Sequence, residues 1–131
     1  MTLAGSTILV LEDEPIIGLA VEDLLMGEGA FVLLASGMEE ARELIAAREI
    51  DSAILDVNVH GALSYPVARL LAEQDVPFIF ATGYGDRSHP PEFAGIPTIA
   101  KPYSIGDITS ALAIVGKRGD PLLIPKSRDF H

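Results

Sequence analysis

Two kinds of hydrophobic pattern alternate along this chain: short apolar runs, and stretches in which apolar residues recur every three or four positions. Short runs are typical of buried strands, whereas the recurring pattern predicts amphipathic helices. The runs predict strands at 8–11, 31–35, 52–57, 77–82 and 96–100. Helical patterns follow the first three strands and the last, so the predicted order is β-α-β-α-β-α-β-loop-β-α.

Local signals mark the ends of the predicted helices. Pro15 suits the first turn of the first helix, where the missing N–H costs no hydrogen bond, and Gly27 marks its end. Ser36, with Glu39 three residues later, predicts a capping box for the second helix. Ser104 is predicted to cap the last helix.

The alternation of strands and helices predicts an α/β fold, a mostly parallel sheet with helices on both faces. The strands are apolar on both faces rather than alternating, as a buried parallel sheet requires, and right-handed crossovers leave few topologies. The connection between Thr82 and Ile96 breaks the pattern, because it contains three glycines and two prolines. We therefore predict that a fourth helix is short or missing, with one turn at most over 91–94.

Composition narrows the class of protein. A chain of 131 residues with 49% hydrophobic residues predicts one domain with its own core. The net charge of −10 argues against nucleic-acid and anionic-lipid partners. The absence of cysteine excludes disulfides, thiolate zinc sites and a cysteine nucleophile. Without a membrane-length apolar run or a signal-peptide pattern, we expect a cytoplasmic protein.

Polar residues stand at the carboxyl ends of four predicted strands, where ligands bind in open parallel sheets. They are Glu12 and Asp13, Asp56, Thr82 and Lys101. If the first and third strands are neighbours, three carboxylates meet in one pocket. Two charges ~4 Å apart repel by about 4 kcal/mol at an effective dielectric near 20. Such a pocket requires a cation, and its all-oxygen ligands favour Mg²⁺ over zinc.

Asp56 is the candidate nucleophile of this pocket. A carboxylate can attack phosphorus and form an aspartyl-phosphate, with Mg²⁺ relieving the repulsion. Lys101 can pair with the phosphoryl oxygens, and the Thr82 hydroxyl can donate a further hydrogen bond to them. One aspartate at a strand end is more often a turn or cap residue, but five polar residues at the ends of four of the five predicted strands indicate a site.

The ordered set Glu12-Asp13, Asp56, Thr82 and Lys101-Pro102 resembles the receiver domain of two-component response regulators. The resemblance covers about residues 6–117 and implies a doubly wound (βα)₅ flavodoxin-like fold with sheet order 2-1-3-4-5. We assign residues 1–117 to the receiver domain and 118–131 to a C-terminal tail. The tail is expected to be loosely held; the alternative is that its apolar segment packs on the domain or meets a partner.

The resemblance also implies the roles of the site residues. Asp56 would accept a phosphoryl group from a histidine kinase or a histidine phosphotransfer protein, and Thr82 and Lys101 would sense that group. The Lys101-Pro102 peptide bond would be cis. The implied Mg²⁺ ligands are the carboxylates of Asp13 and Asp56 and the backbone carbonyl of Asn58. The Glu12 carboxylate would act through water.

A subgroup resemblance lies in Phe80-Ala81-Thr82-Gly83-Tyr84, which is similar to the FAT-GUY receivers, mostly single-domain alphaproteobacterial regulators. Thr98 stands where ordinary receivers carry an aromatic switch residue. This chain therefore departs from their usual coupling, in which the aromatic ring turns inward as the threonine of the site moves. We predict that the segment 83–95 is mobile without phosphate and changes order on phosphorylation or partner binding. Tyr84 would tune access to the site, and Tyr103 would pack.

These observations favour a stand-alone response regulator rather than an enzyme. We expect a monomer that signals by contact with a downstream protein or acts as a phosphate drain. An Mg²⁺-dependent phosphatase would need a second aspartate where this chain has Asn58. The remaining alternative is a pseudo-receiver, a binding module that works without phosphorylation. His60 is predicted to be an exposed loop residue, and His89 has no metal-ligand partner at a usable spacing.

Overall fold

The computed structural model of this chain describes residues 3–83 and 89–118, the last two as backbone only. The predictions for Tyr84, for the middle of the 83–95 segment and for the tail beyond 118 concern residues outside these ranges. The elements that the described residues form are β1 (Thr7–Leu11), α1 (Pro15–Gly27), β2 (Phe31–Ala35), α2 (Met38–Ala47), β3 (Ser52–Asp56), β4 (Asn58–Val59), β5 (Ala62–Leu63), α3 (Tyr65–Glu73), β6 (Phe78–Thr82), β7 (Thr98–Ala100) and α4 (Ile105–Arg118).

The main sheet has five parallel strands in the order β2-β1-β3-β6-β7. Strands β4 and β5 pair only with each other, as a short antiparallel hairpin. When the strands of the main sheet alone are numbered, this is the predicted order 2-1-3-4-5. The predicted α/β, flavodoxin-like fold is therefore confirmed.

Two apolar clusters, one on each face of the sheet, hold the fold together. Successive strand residues point to opposite faces, so Ile8 packs with α1 and α4 while Leu9 packs with α2 and α3. Every residue of β3 and β6 is buried, which explains why the two strands are apolar apart from Ser52, Asp56 and Thr82 at their ends. Burial of each large aliphatic side chain contributes about 1.5–3 kcal/mol.

The connection between β6 and β7 contains, in its described part, one 3-10 turn at Pro91–Phe93. This agrees with the prediction of a short or missing fourth helix. Phe93 is buried against the Tyr65 ring at 5.7 Å between centroids. Arg69 binds both oxygens of Glu92 with its guanidinium, at 2.9–3.1 Å. The turn is thereby attached to α3.

Two of the three predicted helix starts are confirmed, and one is wrong. Pro15 is the first residue of α1. Ser104 Oγ accepts a hydrogen bond from the Asp107 backbone N–H at 3.1 Å, and the Ser104 N–H donates to the Asp107 carboxylate at 2.9 Å. The Ser36–Glu39 box does not form, because α2 is capped by Gly37 and the Ser36 N–H donates to Glu40 instead, at 2.9 Å.

The β4–β5 hairpin is an element that the sequence patterns did not predict. Its turn residues, His60 and Gly61, have φ angles of +51° and +85°. Two left-handed residues are what a two-residue hairpin turn of type I′ requires. Glycine at position 61 is typical of a turn, but two-residue strands are too short to show an apolar period. Among the described helices, none is long and apolar enough to cross a membrane.

Candidate functional site

A cleft of about 660 Å³ opens at the carboxyl ends of β1, β3, β6 and β7. Five of the predicted site residues line it: Asp13, Asp56, Asn58, Thr82 and Lys101. The sixth, Glu12, lies just beneath it with 3% of its surface exposed. The tertiary structure therefore brings these six residues together at one edge of the sheet.

Strand register places the three carboxylates side by side. Leu11 of β1 pairs with Leu55 of β3, so the next residues along the two strands, Glu12 and Asp56, come out at the same level. Asp13 follows in the loop after β1. One carboxylate oxygen from each of the three residues lies within 4.8 Å of the others.

Lys101 neutralises part of this negative charge. Its Nζ lies 2.7 Å from Glu12 Oε1 and 3.1 Å from Asp56 Oδ2, and the side chain is 13% exposed. The Lys101 backbone N–H donates to the Thr82 carbonyl at 2.9 Å, which aligns the end of β7 with the end of β6. The peptide bond to Pro102 is cis, as the resemblance implied. Burial alone would lower the pKa of Lys101, but its bonds to the two carboxylates outweigh burial and raise it.

Asp56 and Asp13 differ in their affinity for protons. Burial and the negative charge of Glu12 raise the pKa of Asp56 to about 7, although Lys101 opposes the shift. Burial also acts to raise the pKa of Asp13, but hydrogen bonds from the His60 backbone and with Asp56 outweigh it and lower the pKa overall. Near neutral pH, Asp13 is therefore ionised, while Asp56 is partly protonated.

The β4–β5 hairpin holds Asp13 in position. The His60 backbone N–H donates to Asp13 Oδ2 at 2.8 Å, and the His60 ring Nε2 is hydrogen-bonded to the Ser36 carbonyl at 2.9 Å. The His60 side chain is 66% exposed, so the prediction of an exposed loop histidine is confirmed. The contact with Asp13 was not predicted, because it joins residues 47 positions apart.

The residues at the cleft fit a divalent cation of the Mg²⁺ type. All the candidate ligands are oxygen atoms, which hard cations prefer. Three carboxylates face one ammonium group, so their ionised forms leave two negative charges that one divalent cation would balance. Asn58 lines the cleft, and its side-chain Oδ1 accepts the Gly61 N–H at 3.0 Å. The ligand that the resemblance implies at this residue is the backbone carbonyl.

A second polar cluster lies beside β6, and sequence analysis missed it. His89 Nδ1 is 2.7 Å from Tyr65 Oη, and His89 Nε2 is 2.6 Å from Thr98 Oγ1. The imidazole ring also packs on Phe80, with 4.4 Å between ring centroids. Thr98, the residue at the position of the usual switch aromatic, thus binds a ring that comes from the preceding connection.

Tyr103 is one of the residues that line the cleft. It packs against the apolar cluster between the sheet and helices α1 and α4, as predicted. Burial and the charges of Glu12 and Asp56 raise the pKa of its hydroxyl. The ring therefore stays neutral beside the acidic cluster.

Comparison with known proteins identifies similar solved structures. No model of a known protein family matches the chain, and a search of curated proteins finds no match. The solution structure of SdrG from Sphingomonas melonis Fr1 is 37% identical with a TM-score of 0.75, over 88% of this chain and 98% of that one. The BeF3-activated conformation of SdrG, from Pseudomonas melonis Fr1, is 38% identical with a TM-score of 0.70, over 84% and 95%.

A response regulator receiver domain protein from Clostridium thermocellum is 25% identical with a TM-score of 0.74. That match covers 89% of this chain and 98% of that one. In all three matches the solved chain is covered almost from end to end, so the likeness extends over the whole fold and is not restricted to the site.

Proposed function

The chain belongs to the receiver domains of response regulators, and we propose that it accepts a phosphoryl group on Asp56. The observation that carries the proposal is the environment of this carboxylate. Asp56 lies at the cleft beside an ammonium group 3.1 Å away and within reach of two further carboxylates. A structural aspartate at a strand end would need none of these neighbours.

In the proposed reaction, a carboxylate oxygen of Asp56 attacks the phosphorus atom of a phosphohistidine. The new P–O bond forms as the P–N bond breaks, and the leaving imidazole nitrogen keeps the electron pair and takes up a proton. Lys101 takes no part in bond making or breaking; its ammonium group stabilises the negative charge on the phosphoryl oxygens. The Thr82 hydroxyl, on the wall of the cleft, donates to the phosphoryl group once it is attached.

Asp13, Asp56 and the Asn58 carbonyl would hold Mg²⁺, with Glu12 acting through water. The cation would supply electrostatic stabilisation of the transferring phosphoryl group and would favour the ionised form of Asp56. Ionisation matters because the pKa of Asp56 is raised to about 7 by burial and Glu12, and a protonated carboxyl group is a poor nucleophile.

The proposal extends to partners and classification. The phosphodonor would be a histidine kinase or a histidine phosphotransfer protein in the cytoplasm. The output would be contact with a downstream protein, or hydrolysis of the aspartyl-phosphate as a phosphate drain. Residues 1–117 would be the receiver domain and the rest a tail. The motif Phe80-Ala81-Thr82-Gly83-Tyr84 supports assignment of the chain to the FAT-GUY subgroup.

Intact-mass spectrometry after incubation with acetyl phosphate and Mg²⁺ tests the phosphoacceptor. We expect one added phosphoryl group, lost in Asp56→Asn and lost when Mg²⁺ is removed. Asp51→Asn is the matched control, because Asp51 lies at the opposite end of β3 and binds the Thr7 N–H instead. If folded protein stays unmodified with acetyl phosphate and with a phosphorylated histidine phosphotransfer protein, the chain is a pseudo-receiver.

A further inference from the structure

Helix α1 exposes an apolar surface that continues the phosphoacceptor cleft. Ile16 is 83% exposed, Leu19 60% and Met26 56%. The wall of the cleft runs from the carboxylates along this helix, past Ile17 and Ala20 to Leu24. A cluster of exposed apolar side chains on a monomeric protein marks a surface that another segment covers.

The charge around α1 restricts what can cover it. Residues 12–28, which comprise α1 and the residues that flank it, contain six acidic residues and no lysine or arginine. By contrast, residues 117–131 contain four of the nine basic residues of the chain and two acidic ones. Within that segment, Leu122 to Ile124 form an apolar stretch, and Lys126 and Arg128 follow it. An apolar segment flanked by basic residues complements an apolar surface flanked by acidic residues.

The position of α4 puts this segment within reach of α1. Both helices follow strands of the same parallel sheet and pack on the same face of it. Both therefore run back toward the amino ends of the strands, so residue 118 lies at the same end of the sheet as Gly27. From there, four extended residues span about 13 Å, and the eight positions from Leu24 up to Ile16 rise about 12 Å along the helix.

We propose that residues 119–131, which lie outside the described structure, dock along α1 with Leu122 to Ile124 against the apolar wall of the cleft. The docking does not rest on the proposed function.

Paramagnetic relaxation in the full chain tests the docking without any phosphorylation. The chain has no cysteine, so Ser127→Cys accepts a single nitroxide label. We expect the label to reduce the amide signals of residues 16–24 by more than half and to leave those of α2, on the opposite face of the sheet, unchanged. Changing Leu122, Leu123 and Ile124 to serine in the labelled chain should restore the signals. Ile114→Ser, on an exposed part of α4 that does not line the cleft, should not.

Each other outcome overturns the proposal. Unreduced signals in α1 mean that the tail does not dock there and that the surface is left to a separate partner. A mixture of isotope-labelled chains without nitroxide and nitroxide-labelled chains without isotope tests for a second copy. Reduced α1 signals in that mixture mean that the occupant is the tail of another molecule. Neither result bears on phosphorylation of Asp56, so the two proposals fail separately.

Discussion

The His60 backbone N–H donates to Asp13 Oδ2 at 2.8 Å and thereby ties the turn of a hairpin to the loop that follows β1. The donor has φ +51°, a left-handed conformation that asparagine tolerates and β-branched residues avoid. The hairpin therefore fixes the position of one carboxylate oxygen of Asp13. Its effect should appear in cation binding rather than in the fold.

His60→Val should weaken Mg²⁺ binding, because valine disfavours the left-handed turn that presents the N–H to Asp13. Partners that orient metal ligands typically contribute 10–100-fold to affinity, and we expect a loss in about that range. His60→Asn keeps the turn and should bind Mg²⁺ as the parent does. Calorimetric Mg²⁺ titration measures both variants, with thermal unfolding as the control for the fold. Equal affinities would show that the hairpin does not position Asp13.

The raised pKa of Asp56 predicts how stability depends on pH. Because burial and Glu12 raise it from 3.8 to about 7, the folded state binds more protons than the unfolded state between those values. The free energy of unfolding should therefore fall as pH rises through this window. Asp56→Asn should remove this fall, and its melting temperature should exceed that of the parent above the window when Mg²⁺ is absent.

Thermal unfolding across the window, with and without Mg²⁺, measures this effect. Mg²⁺ should stabilise the parent more at the alkaline end, where Asp56 is ionised, than at the acidic end. A parent and an Asp56→Asn variant with parallel pH profiles would contradict the assignment of the shift to Asp56.

Removal of the Lys101 ammonium group should lower the free energy of unfolding. Lys101→Met leaves Glu12 and Asp56 without the partner that lies 2.7 and 3.1 Å from them. Loss of one member of a buried ion pair typically costs about 3–5 kcal/mol, and we expect a loss near that size in urea unfolding without Mg²⁺. Adding Glu12→Gln to Lys101→Met should recover part of the loss. A double variant no more stable than the single one would show that Glu12 is not the group left uncompensated.

The His89 bridge should couple α3 to β7. His89→Phe keeps a ring on Phe80 but loses the hydrogen bonds to Tyr65 and Thr98, each worth about 0.5–1.5 kcal/mol net. A double-mutant cycle of His89→Phe with Thr98→Val in urea unfolding should give a coupling energy of about 0.5–1.5 kcal/mol. Additive losses would mean that the 2.6 Å contact between the two side chains does not stabilise the fold.

Sequence analysis reached furthest where the controlling interactions are local or repeated. An apolar run such as 52–57 predicts a buried strand because every position meets a covered face of the sheet. Asp56 and Lys101 were recognised because strand ends in a parallel sheet meet at one edge, whatever the details of packing. The failures have the opposite character. The Ser36–Glu39 capping box was wrong by one residue, because the start of α2 depends on how the chain leaves β2.

Residue patterns were therefore enough to predict the order of the elements, the parallel sheet and the polar residues that meet at its carboxyl edge. The folded structure was needed to show that the backbone of His60 holds Asp13, that His89 bridges Tyr65 and Thr98, and that the cleft continues along α1. The physical reason is that these contacts join residues distant in the chain through short turns and single side chains. No periodic pattern records such contacts, because their partners become neighbours only after the sheet has formed.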